Sequence, residues 1–330
     1  MKVLKYISGL IIIGCVLFTI LIGSNKISQT QIDNNPSEYK GIITVWQVDS
    51  FEGGIGSRKQ FLLKVARSFE KKHEGVFVMV SNYTVDGVYE SLKNNSPPDI
   101  ISFGNGTEVS GFSKLNINID FNGGKVGDGT YAVPWCRGGY VLIANPRLAS
   151  SFEEEIDKLL VSQGEYTQPL TALTLEDCKV KQVEVKKPLD AYVQFVGGST
   201  PFMLGTQRDL MRLKNRNMEV NIKPLEKYND LYQYVVITST EQVKRCYAEK
   251  FLEYLMSEEI QKKLYDIGMY SEVYDVETDD QNARLMQAKK KFLSVSAFTS
   301  SVELKQMQKN SYLAFNGDQE ALNKIKNMLV

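Results

Sequence analysis

Across 330 residues there is a single histidine, His73. A Ser–His–Asp triad or a histidine-rich metal centre needs imidazoles that this chain does not have. His73 falls in FEKKHEG at the end of an expected helix, where a cation or partly charged imidazole complements the dipole. Cysteine is scarce as well. Cys15, Cys136, Cys178 and Cys246 show no C-x-x-C spacing, which argues against zinc and iron–sulfur sites. Cys15 lies in an N-terminal apolar run, and the other three are expected to be buried thiols. Net charge is absent too, because 39 basic and 39 acidic side chains cancel. No Lys/Arg-dense block stands out, so a nucleic-acid partner is not expected. The glycine-rich stretch GGIGSR lacks the P-loop spacing, and G-x-G-x-x-G is missing. No metal or cofactor is expected, and there are no internal repeats or low-complexity tracts.

What is present starts with an address. Lys2 and Lys5 precede an uncharged, largely apolar run from Ile7 to Gly23, the layout of an export signal. As a helix this run reaches about 26 Å, just short of the ~30 Å hydrocarbon core. Ile12-Ile13-Gly14-Cys15 matches a bacterial lipoprotein cleavage box, with Cys15 as the lipidated residue. The apolar continuation Val16-Leu17-Phe18 argues instead for an uncleaved anchor or an ordinary signal peptide. Each version places the rest of the chain outside the cytoplasm. Residues 1–23 are therefore read as signal or anchor, and the polar residues 24–40, with Pro36, as a linker.

The remaining chain is long enough for about two domains. GIITVWQV (41–48), VFVMVS (76–81) and PPDIISF (97–103) read as strands, alternating with amphipathic helices. The first helix carries Phe61, Leu62, Val65, Ala66 and Phe69 on one face, with Ser57 as candidate cap; the second begins after Thr84. This alternation predicts a helix-covered sheet with parallel pairing. YAVPWCRGGYVLIAN reads as extended chain broken at Pro134 and Gly138-Gly139. SSFEEEIDKLL reads as helix, while residues 163–187 give no clear pattern. Helix, strand and helix follow over 190–216, then a strand at 231–239, and helices to the end with a turn at Asn316-Gly317-Asp318.

In open α/β sheets ligands meet the carboxyl ends of parallel strands. There the loops Asp49-Ser50-Phe51-Glu52, Asn82-Tyr83 and Gly104-Asn105-Gly106 would emerge together. Aromatic faces among short polar groups are the composition of a small-molecule pocket.

The succession ITVWQVDSFEGG, FEKKHEGV, PPDIISFGNG, YAVPWCRGGYVLIAN, FVGGSTPFMLGTQRD and YQYVVITS with CYAEKFLEYLMSEEIQKKL resembles the sugar-type extracellular solute-binding proteins of ABC importers, the family of maltodextrin-binding proteins. The resemblance implies a type II two-lobed α/β clamp, each lobe a helix-flanked, mostly parallel sheet, joined by a hinge of several chain crossings. Lobe one would be 41–134 plus 236–271, and lobe two 135–235 plus 272–330. The chain is shorter than typical members around 150–187.

Within that frame Trp46 and Phe103 either line the pocket or pack in the core. Asp49, Phe51, Glu52 and Tyr83 are candidate contacts, and Asn105 either approaches ligand or makes a turn. Trp135, at the hinge, is expected to stack on a sugar ring. Arg137, and Gln207 with Arg208 on the facing turn, either hold ligand or brace the closed lobes, and Tyr228 and Tyr232 flank a second crossing. The implied function is capture of a small solute, a carbohydrate, by a monomeric subunit that delivers it to a membrane permease without chemical change. The alternatives are a receptor feeding a sensor kinase, or a secreted carbohydrate-active enzyme using Asp49 and Glu52.

Overall fold

A computed structural model describes residues 39–94, 97–117, 121–149, 151–152, 155–176, 178–288 and 291–330. The expected signal or anchor, Cys15 and nearly all of the linker lie outside the described residues. No described helix is long and apolar enough to cross a membrane.

The described residues form twelve strands: β1 (Gly41–Val48), β2 (Val76–Tyr83), β3 (Ile100–Phe103), β4 (Lys125–Val126), β5 (Gly129–Thr130), β6 (Val133–Arg137), β7 (Tyr140–Ala144), β8 (Ile156–Ser162), β9 (Val180–Lys186), β10 (Phe202–Thr206), β11 (Asn221–Pro224) and β12 (Tyr232–Ile237). They form two five-stranded sheets, ordered β2-β1-β3-β12-β6 and β11-β7-β10-β8-β9, beside a small β4-β5 hairpin. In the first sheet only β12 opposes its neighbours. In the second only β7 does. Each sheet is thus mostly parallel, as the alternation of elements predicts.

The first sheet is covered on one side by the helices Arg58–Glu70 and Gln242–Leu255. The apolar face read from the sequence, Phe61 through Phe69, is the buried face. Trp46, Ile101, Phe103 and Tyr234 pack on the other side with Val88 of helix Val85–Asn94 and with Ala297 and Phe298. The second sheet lies between helices Pro188–Val196 and Gln207–Asn215 on one side and Pro169–Glu176, Ser301–Phe315 and Gln319–Lys326 on the other. Ala297 and Phe298 thus join the first sheet's core, although they fall in the range 272–330 expected for lobe two.

Local chemistry explains these elements. Thr84 accepts from the Gly87 N–H and so starts its helix. Pro134 sits in β6, an edge strand, opposite an irregularity at Gln233/Tyr234, where no ladder donor is required. Gly317 adopts φ +96 between the last two helices, as expected of the Asn-Gly-Asp turn.

Several expectations need correction. In SSFEEEIDKLL (150–160), expected as helix, the chain from residue 156 forms β8 between β9 and β10. The acidic prefix suggested a helix, but Leu159-Leu160-Val161 is a run buried on both faces, as an interior strand requires. The unplaced stretch after it supplies helix Pro169–Glu176 and strand β9. Ser57 occupies its cap position without a side-chain capping bond. Among the described cysteines only Cys136 is buried, its pKa pushed up to about 12 by burial; Cys178 and Cys246 are half-buried. His73 lies beyond the helix end with its ring 4.2 Å from Phe69 and 5.8 Å from Tyr247. Burial, then Lys250 and Lys72, lower its pKa, so the neutral imidazole is favoured rather than a dipole-compensating cation.

Candidate functional site

The chain passes from β6 to β7 through Gly138-Gly139, and this crossing is knitted to two others. Arg137 exchanges backbone hydrogen bonds with Tyr270 at 2.8 and 2.9 Å, and the Gly138 N–H donates to Leu231 O at 2.7 Å. The side chain of Gln207 fills the space beside Gly138, where a Cβ would collide with its amide. Gln207 Oε1 accepts the Gly139 N–H at 3.0 Å, and Nε2 donates to Glu52 O at 3.3 Å.

Beside these crossings lies a cleft of about 530 Å³. One wall is the loop after β1, Asp49 to Gly53, with Gly56, Ser57 and Arg58. The other is built by Ser162, Gly164 to Thr167, Pro188, Thr206, Arg208 and Leu231. Gly54 permits the loop's path, since a Cβ there would meet the carbonyl oxygens of Ile267 and Gly268.

Arg58 organises the first wall. Its Nε donates to Asp49 Oδ1 at 2.9 Å, its guanidinium donates to Phe51 O, and the group lies 4.2 Å over the Phe51 ring. Gln47 Nε2 also donates to Asp49 Oδ1, at 3.1 Å. Beneath the loop, Ser102 Oγ donates to Gln47 Oε1 and accepts from Trp135 Nε1 at 2.9 Å and Gln233 Nε2 at 3.1 Å. This buried network joins β1, β3, β6 and β12 and fixes the amide that orients Asp49.

The walls touch at one side. Arg212 pairs with Glu52 at 3.0 Å, and the Arg208 guanidinium donates to Gly54 O. Thr206 and Asp209 form a capping box on helix Gln207–Asn215. Burial raises the Asp209 carboxyl to about 6, against hydrogen bonding from the Thr206 backbone and the nearby Arg212.

Of the residues singled out from the sequence, Asp49, Phe51, Glu52 and Arg208 line the cleft, and Gln207 is buried at its edge. The others lie elsewhere. Trp46 and Tyr83 stack on each other with centroids 4.5 Å apart. Phe103 is core, beside Tyr234 and Phe298. Asn105 donates to Ser296 O at 2.8 Å. Trp135 is 0% exposed, stacked on Phe61, so it has no face to offer a sugar ring. Arg137 is a brace: it pairs with Glu272 at 3.0 Å and donates to Met286 O and Gln287 O. Tyr228 and Tyr232 are buried. Sequence reasoning passed over Arg58, Ser162, Tyr166 and Thr167.

Beside this site Asp230 is buried, its carboxylate accepting from Tyr140 Oη at 2.6 Å. Burial raises Asp230 to about 7. Among the described residues, no group of three or more His, Cys, Asp or Glu side chains could hold a metal ion.

No protein-family model and no curated protein sequence matches the chain. Solved structures do. The sugar-binding protein MalE from Xanthomonas citri aligns at TM-score 0.60 and 14% identity, covering 87% of this chain and 95% of that one. The GacH receptor of Streptomyces glaucescens, solved without ligand and with acarbose, aligns at TM-score 0.58 and 14% identity, covering 88% and 98%. Iron-bound HitA from Pseudomonas aeruginosa aligns at TM-score 0.53 and 13% identity, covering 82% and 99%. These neighbours are binding proteins rather than enzymes. The chain has the type II fold of the solute-binding proteins of ABC transporters, and sugar-binding members are among its structural neighbours.

Proposed function

We propose that this protein is the extracytoplasmic solute-binding subunit of an ABC importer, capturing a small carbohydrate between two lobes for delivery to a membrane permease. The observation that carries this reading is the cleft itself. It is a cavity of about 530 Å³ walled by elements of both sheets, beside the crossings that join them. A solute touching both walls stabilises the state in which they face each other, by its differential affinity for that state.

Carbohydrate is favoured over iron on the chemistry of the lining. Phe51 and Tyr166 supply ring faces, and Ser57, Ser162, Thr167 and Thr206 supply hydroxyls. The GacH receptor, solved with acarbose, and the sugar-binding protein MalE point the same way. An enzymatic role for Asp49 and Glu52 is disfavoured because each is held in an ion pair, by Arg58 and Arg212. Tethering by the N-terminal segment belongs to the same proposal.

The test is a thermal-shift screen of mono- and oligosaccharides, followed by recovery of the stabilising compound. A compound that binds only the folded state raises Tm. Stabilisation by a sugar recovered unaltered is the expected result. No response to any sugar, or conversion of the sugar, sinks the reading.

A further inference from the structure

Charges around the cleft are not matched one for one. Asp49 pairs with Arg58 at 2.8 Å, Glu52 with Arg212 at 3.0 Å and Glu165 with Lys305 at 3.2 Å. Arg208, which lines the cleft, has no carboxylate partner among the described residues, and its buried Nε meets no acceptor. Arg58 is satisfied only in part. Its side chain is 2% exposed, and Nη1 is buried without an acceptor.

Both arginines occupy the first turn of their helices, Arg58–Glu70 and Gln207–Asn215. That is the end at which the helix dipole disfavours a cation. Helix Arg58–Glu70 has no acidic residue in its first turn, and Ser57 makes no side-chain capping bond. Its leading N–H groups therefore lack the capping acceptor that Ser57 would supply. Ser57 lines the cleft, so this helix end opens onto it. Two cations set against their dipoles, each with a donor left over, break local rules in one place. Buried donors of charged groups are costly when they lack an acceptor.

We propose that the solute taken by this cleft carries an anionic oxygen group, a phosphate or a carboxylate, held by Arg58, Arg208 and the N-terminal N–H groups of helix Arg58–Glu70. This inference rests on the proposed carbohydrate-capture function and narrows it from neutral sugars to acidic or phosphorylated ones. An anion there receives charge-assisted hydrogen bonds from both lobes, and the guanidinium forks suit either planar or tetrahedral oxygens. Asp49, Glu52 and Glu165 are engaged by cations of their own and remain as acceptors for hydroxyls.

The test is calorimetric titration of the folded chain with glucose, maltose, glucose 6-phosphate, glucuronate and inorganic phosphate. A charged sugar is expected to bind at least about tenfold more tightly than its neutral counterpart, with affinity falling as salt is added. Binding of inorganic phosphate alone would identify a free oxyanion as the cargo, overturning the sugar reading while keeping the anion site. Arg208→Gln is expected to abolish the preference for charge, and Arg208→Lys to restore part of it. Ser57→Asp supplies a helix cap together with its own negative charge; it should keep the fold and weaken binding of the charged sugars far more than binding of glucose. Neutral sugars binding as tightly as charged ones, or Arg208→Gln weakening both alike, would overturn the inference while leaving the capture function standing. Silence from every probe would overturn both.

Discussion

Arg137 and Arg58 are both buried arginines lying against aromatic rings, yet they do opposite things. Arg137 sits at the crossings, near Tyr270 and Phe292, and is paired with Glu272 and two backbone carbonyls. Arg58 sits at the cleft, over Phe51, paired with Asp49 but with Nη1 unmatched. Protein acceptors engage the first from several directions, which makes it a brace. The second keeps one buried donor without an acceptor in a side chain that lines the cleft, the feature on which the proposed anion site rests. Burial alone does not separate the two roles; the acceptors around each group do.

The largest effect expected from breaking this contrast is at the brace. Arg137→Met removes the ion pair to Glu272 and the donors to Met286 O and Gln287 O at the crossings, and a loss of about 3–5 kcal/mol in denaturant-unfolding free energy is expected. A loss below about 1 kcal/mol would mean that the pair behaves as a surface ion pair. Next comes the second tryptophan. Trp135→Phe removes the donor to Ser102 Oγ and indole volume packed on Phe61, at a cost of about 1–3 kcal/mol. Solute affinity should stay unchanged, because the ring does not line the cleft; a clear drop in affinity with stability intact would restore the stacking role. The third effect concerns pH. Asp230 is raised from 3.8 to about 7 in the folded state, so its contribution to stability is fully present below pH 3.8 and is lost as pH rises toward 7. Asp230→Asn should flatten the stability profile across that window. A profile that keeps its full slope would assign the dependence to another group, Asp209 being next, raised to about 6.

Much of the first sheet was legible because its strands and helices carry clean periods. The apolar face Phe61, Leu62, Val65, Ala66 and Phe69 is buried as read. The second sheet was harder. In β8 and β9, Lys158 pairs with Glu184, and Lys181 with Glu155 and Asp157, so charges on the exposed face mask the strand period. The rule that ligands meet strand ends located Asp49, Phe51 and Glu52 at the cleft. It missed Arg58, which reads as one more polar residue of an amphipathic helix. The available signal was its position, a cation at a helix start with no acid in the first turn. Trp135 misled because exposure cannot be read from residue type: the ring that would suit a sugar is used to pin the sheet beneath the loop.

Gln207 has one further consequence. Its amide holds the Gly139 N–H of a crossing with one end and the Glu52 carbonyl of the facing loop with the other. Arg208 and Arg212, on the same helix, hold Gly54 and Glu52. Any rotation that parts this helix from the loop must rupture the Gln207, Arg208 and Arg212 links to the loop together, because they are fixed to one helix. On the proposed capture function, separation of the two walls would be a single cooperative event, like a latch with several teeth on one bar.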